Sequence, residues 1–144
     1  RDQGGYAMSV DPPPELVAER LLEALADLRR PINSATGNGW KKGAFGIQAS
    51  CKCLDGALFF AVRGRGPVSY DVLDAMQRRV VGVIADIEGV EPPTLGSTFI
   101  WAWNDDEARV FAEVEAVLER AISEAVSEIA QLPPVAQRAM EAGW

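Results

Sequence analysis

Histidine is absent from the 144 residues, and the chain holds only two cysteines. The first absence removes the usual general base, the imidazole metal ligand and the simplest pH switch together. Neither a Ser-His-Asp nor a Cys-His site can be assembled from one copy of this chain, so acid–base chemistry would fall to carboxylates, Lys or Tyr. The two thiols, Cys51 and Cys53, stand at a C-x-C spacing. Alternate residues of an extended strand are about 6.5–7 Å apart at Cα, at or past the reach of a relaxed disulfide, so reduced thiols are expected. Two such thiolates can reach one ion, but zinc takes four ligands, and the rest would have to be carboxylates or a second chain's thiols. Packing as small buried hydrophobes is the simpler reading, and neither a metal nor another cofactor is expected.

Also missing are an apolar run of about 18 residues or more and a signal-peptide core. No membrane span or secretory address is visible, and a cytoplasmic location is the default expectation. Positive charge is in the minority: 14 Lys and Arg against 21 Asp and Glu give a formal charge of −7. That balance argues against nonspecific nucleic-acid binding, which draws on a basic face to release phosphate counterions.

What the chain does contain is enough apolar material, 48% of residues, for one core. Residues 1–7 show no periodicity and are read as an appended remnant ahead of a native start at Met8. Residues 8–132 are read as a single domain. Residues 133–144, beyond Pro133-Pro134, are read as a short helix or a mobile tail.

Asp11 before Pro12-Pro13-Pro14 is a helix start, and Val17, Leu21, Leu25 and Leu28 repeat at helical spacing, predicting a helix over 13–30 that ends at Pro31. The loop from Asn33 to Gly39 is rich in small residues, of the kind that serves as a connection or a binding loop.

From Trp40 to Gly66 the pattern changes to alternation: Phe45, Ile47, Ala49, Cys51 and Cys53 on one face, with Gln48, Ser50 and Lys52 on the other. Asp55-Gly56 is a strong hairpin turn signal. It would set Cys53 against Leu58, Cys51 against Phe60 and Ala49 against Val62, so that the apolar faces coincide. A β-hairpin is therefore expected over 43–53 and 57–65.

Ser69 and the stripe Leu73, Met76, Val80, Val83, Ile84 and Ile87 predict a second helix over 69–88, closed by Gly89. Ser97 to Trp103, with Phe99, Trp101 and Trp103 on one face and Thr98, Ile100 and Ala102 on the other, reads as a third strand covered on both sides. Asn104-Asp105-Asp106-Glu107 then resembles a helix N-terminus. The stripe from Phe111 to Leu132 predicts a third helix over 105–132, about 42 Å long, too long for so small a domain to cover. The order α-β-β-α-β-α implies an α+β two-layer sandwich with a small antiparallel sheet.

Two surfaces stand out as candidate sites. Lys41, Lys42, Lys52, Arg63 and Arg65 against Asp55 alone give residues 40–66 a net charge of +4, whereas residues 91–144 carry −7. With Phe59, these form a basic, partly aromatic hairpin face. Arg63 and Arg65, ahead of the second helix, suit an anion, although the glycine spacing is not that of a P-loop. The alternative is a solvated edge whose charges discourage aggregation. The second surface is aromatic: Trp40, Trp101 and Trp103 as a pocket or interface, against a plain role in the core. The acidic residues of the last helix are read as a solvated face.

The function these features favour is a non-enzymatic interaction or assembly module. Its partner would be a protein or, as a homodimer or larger homo-oligomer, a second copy of itself. The alternative is a small anionic ligand, bound or transformed at the basic hairpin.

Overall fold

A computed structural model describes residues 2–3, 5–6, 11–66 and 68–131. The readings of Met8 as a start and of 133–144 as a helix or tail, and Trp144, lie outside the described residues. Among these residues five helices follow in order: α1 Pro14–Arg29, α2 Leu54–Arg63, α3 Tyr70–Glu88, α4 Gly96–Asn104 and α5 Phe111–Ala130. Among the described residues the paired strands are the two-residue Asp2–Gln3 and Gly5–Tyr6 at the N-terminal end. The expected α+β sandwich is thus overturned: the domain is helical, and neither the 43–53/57–65 β-hairpin nor the third strand forms.

α1 and α3 occupy the segments where the 3.6-residue period was unambiguous. α1 buries Val17, Ala18, Leu21, Ala24, Leu25 and Leu28, one stripe of a helix begun by proline in its first turn. Asp11 does not cap it; its carboxylate lies 3.6 Å from Arg78 instead. α3 ends on Gly89, left-handed at φ 70°, whose N–H and that of Val90 close on the carbonyls of Ala85 and Asp86. α5 packs against α1 and α3 and buries Val114, Val117, Leu118, Ala121 and Ala125. Each fully buried Leu of this core contributes about 1.5–3 kcal/mol.

The hairpin fails because its second arm is a better helix. Leu54, Ala57, Leu58 and Val62 fall at i, i+3, i+4 and i+8 and are all buried. Cys53 is the N-cap, its Sγ accepting the Gly56 N–H at 3.3 Å, and Asp55 is the acid of the first turn. Gly56 is there for a reason other than a turn: a Cβ at this position would collide with the Phe45 carbonyl oxygen.

The supposed third strand is α4, which turns Ile100, Trp103 and Asn104 inward. Two apolar faces suit a short helix seated on a core as well as they suit a covered strand. Asn104 to Glu107 does not start a helix but ends α4 and forms the corner to α5, where Asp106 accepts the N–H of Ala108 at 2.9 Å. With its first residue at Phe111, α5 is about 30 Å long, so the excess length expected of a 105–132 helix is not present in the described residues.

Between α1 and α2 the chain from Pro31 to Cys53 is irregular yet tied down. The Gly39 N–H donates to the Leu28 carbonyl, Lys52 N–H to Gly39 and Lys41 N–H to Lys52, all within 3.0 Å. Gly46, at φ 92°, lies where any Cβ would strike Cys51 and Lys52. This ordered loop covers one side of α2 and carries Trp40, Lys41, Lys42 and Lys52 of the residues singled out above.

Candidate functional site: buried polar posts and the outer face of helix α4

Among the described residues, three polar side chains are buried in this apolar core: Lys52, Asp55 and Asn104. Burying such groups is costly unless every bond is made, and here the bonds are made. Lys52 is 1% exposed, and its Nζ donates to Asp27 Oδ2 at 2.9 Å, to the Gln48 carbonyl at 2.7 Å and to the Ser50 carbonyl at 3.0 Å. An ammonium has three N–H groups, so its capacity is filled. The charge pins the 48–52 loop to α1.

Asn104 is fully buried and uses both ends of its amide. Oδ1 accepts from Trp40 Nε1 at 2.7 Å and from the Leu54 N–H at 3.0 Å; Nδ2 donates to the Lys41 carbonyl at 3.1 Å and to Asp105 at 2.9 Å. One side chain thereby joins the loop, the start of α2 and the end of α4.

Asp55, 2% exposed, has no cation among its partners. Its oxygens accept from Gln77 Nε2 and from Trp101 Nε1, each at 2.9 Å, and Ser97 adds a hydroxyl contact. Burial pushes its carboxyl above the ordinary range, against those hydrogen bonds, which favour the charged form.

Trp101 is the link from this interior to the surface. Its indole N–H is held by Asp55 while 45% of the residue stays exposed. Beside it lies a cleft of about 220 Å³ lined by Gly43, Ala44, Phe45, Cys53, Trp101 and Asp105, with more apolar than polar surface. The far wall is fixed, since the Gly43 N–H donates to Asp105 Oδ1 at 2.9 Å and Phe45 packs edge-on against Phe59 with centroids 5.5 Å apart. Along α4 the exposure continues through Ala102 and Thr98 to the N-cap residue Leu95, 74% exposed.

Cys53 faces this cleft but is not an activated nucleophile. Burial pushes its thiol upward, and the charges of Asp55 and Asp105 push the same way, against the Gly56 N–H. Cys51 is half-buried beside it in sequence. Among the described residues no group of three or more Cys, Asp or Glu is placed to hold a metal.

The basic residues expected to share one face are dispersed. Lys52 is inside. Arg65 pairs with Glu23 of α1. Lys42 Nζ donates to the Glu107 carbonyl at 3.0 Å and lies 5.7 Å from the centre of the Trp40 ring. Lys41 is half-buried and contributes its carbonyl to Asn104, and Arg63 is exposed at the end of α2. Phe59 is half-buried in the Phe45–Phe59–Phe60 cluster. The loop from Asn33 to Gly39 satisfies itself, with Asn33 and Asn38 side chains accepting the N–H groups of Ala35 and Trp40.

The three tryptophans separate as well. Trp40 stacks at 6.2 Å on Phe111, and Trp103 is buried under the Arg109 guanidinium, 3.8 Å from the ring centre. Only Trp101 of the three presents a largely free face. Sequence reasoning missed Asp55 and Asn104, which it read as a turn and a cap, and it missed Leu95. No local signal marks them, because Gly96–Asn104 is apolar on both faces and its period fits a covered strand as well as a helix.

No helix among the described residues is long and apolar enough to cross a membrane. No curated protein and no solved structure matches the chain. A family model, described as a family of unknown function, DUF6197, matches residues 12–124, which take in α1 to α4 and most of α5. The chain belongs to the DUF6197 family.

Proposed function

We propose that the protein is a non-enzymatic interaction module that self-associates through the outer face of α4. The observation that carries this reading is the character of that face: Leu95, Thr98, Trp101 and Ala102 are exposed, and none of them is ionisable. On a chain of net −7, two copies carry like net charge and repel one another on average. An uncharged apolar face is where a second copy can approach at the lowest electrostatic cost, and exposed aromatics of this kind are typical anchors of interfaces.

The interior supports the same reading. Lys52, Asp55 and Asn104 are committed to internal bonds, and Cys53 is held as a thiol, so their chemistry goes into shaping the fold rather than into turnover. The rival reading, an anionic ligand on the basic residues, has less support, since Lys52 is buried and Arg65 already has Glu23.

A face of four residues and a small cleft implies a modest interface, in the range where association is weak or transient. Sedimentation velocity from micromolar to submillimolar concentration tests the proposal. Wild-type protein is expected to shift from monomer to dimer, and Leu95→Ser to weaken dimerisation by about tenfold or more. Wild-type protein that stays monomeric throughout, or Leu95→Ser that dimerises equally well, would overturn it.

A further inference from the structure

We infer that the cleft beside Trp101 binds a small organic cation, an alkylated ammonium group held against the indole ring and paired with the carboxylate of Asp105. The site does not depend on the self-association proposed above. Among the described residues, three aromatic rings already carry a cation from the chain itself: Lys42 lies 5.7 Å from the centre of Trp40, Lys52 lies 5.6 Å from that of Phe60, and Arg109 lies 3.8 Å from that of Trp103. Trp101 is the most exposed of Trp40, Trp101 and Trp103, and no cation of the described residues lies over it. Its indole N–H donates to Asp55 Oδ2 at 2.9 Å. A carboxylate at that position pushes electron density into the ring, which strengthens the negative face that attracts a cation.

Size, lining and charge of the cleft suit such a guest. Its volume of about 220 Å³ is below the roughly 300–1,000 Å³ of pockets that take drug-sized ligands, so the guest is small. No Lys or Arg lines it, and Asp105 is its one acidic side chain. Oδ1 of Asp105 accepts from the Gly43 N–H and from Asn104 Nδ2, each at 2.9 Å. These bonds fix the carboxylate in place without cancelling its charge, so little ordering is required when a guest enters. The Cys53 thiol registers the same field: burial raises it most, and the charges of Asp55 and Asp105 raise it further. An alkylated ammonium gives its methyl groups to Phe45 and Trp101 and its charge to Asp105, whereas a bare ammonium is strongly hydrated and gains less from an apolar wall. An ammonium tethered to a phosphate would bring that phosphate against Asp105 and a chain of net −7. A free organic cation is therefore the favoured guest.

Choline is the probe, compared with dimethylbutanol, its uncharged isostere in which tert-butyl replaces trimethylammonium, and with phosphocholine. The titrations are followed by the indole N–H resonances at constant ionic strength and at one low protein concentration, where the chain is monomeric. Choline is expected to shift the Trp101 indole saturably, with a Kd of about 1 mM or tighter, and to leave the Trp40 and Trp103 indoles in place. Dimethylbutanol and phosphocholine are each expected to bind about tenfold more weakly. Asp105→Asn keeps an oxygen for the Gly43 N–H, removes the charge, and is expected to weaken choline binding by about tenfold. Ala44→Lys sets a cation at an exposed position of the cleft wall and is expected to do the same, with far-UV circular dichroism establishing that both variants are folded. No saturable Trp101 shift with choline, or equal binding of choline and dimethylbutanol, would overturn the cation site. Choline binding that both variants leave unchanged would place the cation elsewhere and overturn it too. Phosphocholine binding as tightly as choline would overturn the assignment to a free cation.

Discussion

The indole N–H of Trp101 stands 2.9 Å from Oδ2 of Asp55, so a buried carboxylate sets the position of the aromatic ring at the edge of the surface cleft. Core and candidate interface share this bond, and it has a measurable consequence. Trp101→Phe keeps most of the ring's contacts but leaves one Asp55 oxygen without its donor, a loss of about 1–3 kcal/mol. Urea denaturation is expected to show that loss; an unchanged midpoint would mean the bond does not form in solution.

Asp55 also gives stability a pH dependence of definite sign. Its carboxyl is raised above the ordinary 3.8 by burial, so the folded chain holds this proton more tightly than the unfolded one. The stabilisation is fully present below pH 3.8 and is lost as pH rises through the folded value. Wild-type protein is therefore expected to lose stability relative to Asp55→Asn between acid and neutral pH, followed by urea midpoints across a pH series. A difference that stays constant, or that moves the other way, would contradict the burial of this group.

Two members of the expected basic surface are expected to behave differently. Lys52→Met removes three buried hydrogen bonds and is expected to cost about 2–3 kcal/mol, at the low end for a broken buried pair because Asp27 retains Arg30. Arg65→Ala breaks an exposed pair with Glu23 and is expected to change stability by no more than about 0.5 kcal/mol. Equal effects would place both side chains in the same environment, against the structure.

Glycines at two helical positions separate propensity from packing. At Gly82 a Cβ would meet nothing within 4 Å, so Gly82→Ala is expected to stabilise by about 0.5–1 kcal/mol. Gly56→Ala has the same helix propensity gain but drives a methyl into the Phe45 carbonyl, and a net loss is expected. Thermal unfolding of the two variants compares them directly.

The same two glycine contexts explain how far the fold could be read in advance. α1 and α3 are long, and their stripes from Val17 to Leu28 and from Leu73 to Ile84 fit only the helical period. Pro31 and Gly89 supply unmistakable ends. α2 is short, and Leu54-Asp55-Gly56-Ala57-Leu58 fits a hairpin turn and a helix start equally well by local pattern; the packing of Phe45 against Gly56 decides between them, and that contact is not local. α4 is shorter still and apolar all round, so period alone does not separate helix from covered strand. Lys52 was placed outside by alternation, whereas its position depends on Asp27 and two loop carbonyls that meet it only in the folded chain. Trp101 stands in the sequence only as one of three tryptophans weighed between a pocket or interface and the core, and its exposure and its partner Asp55 are both hidden by the strand and turn signals.

The most direct measurement of the central claim is a dilution series followed by amide and indole chemical shifts. Self-association through α4 is expected to move the Leu95, Thr98 and Ala102 amides and the Trp101 indole N–H with concentration, leaving Arg63 and Arg65 in place. Concentration-dependent shifts centred on Arg63 and Arg65, or no shifts at any concentration, would contradict it.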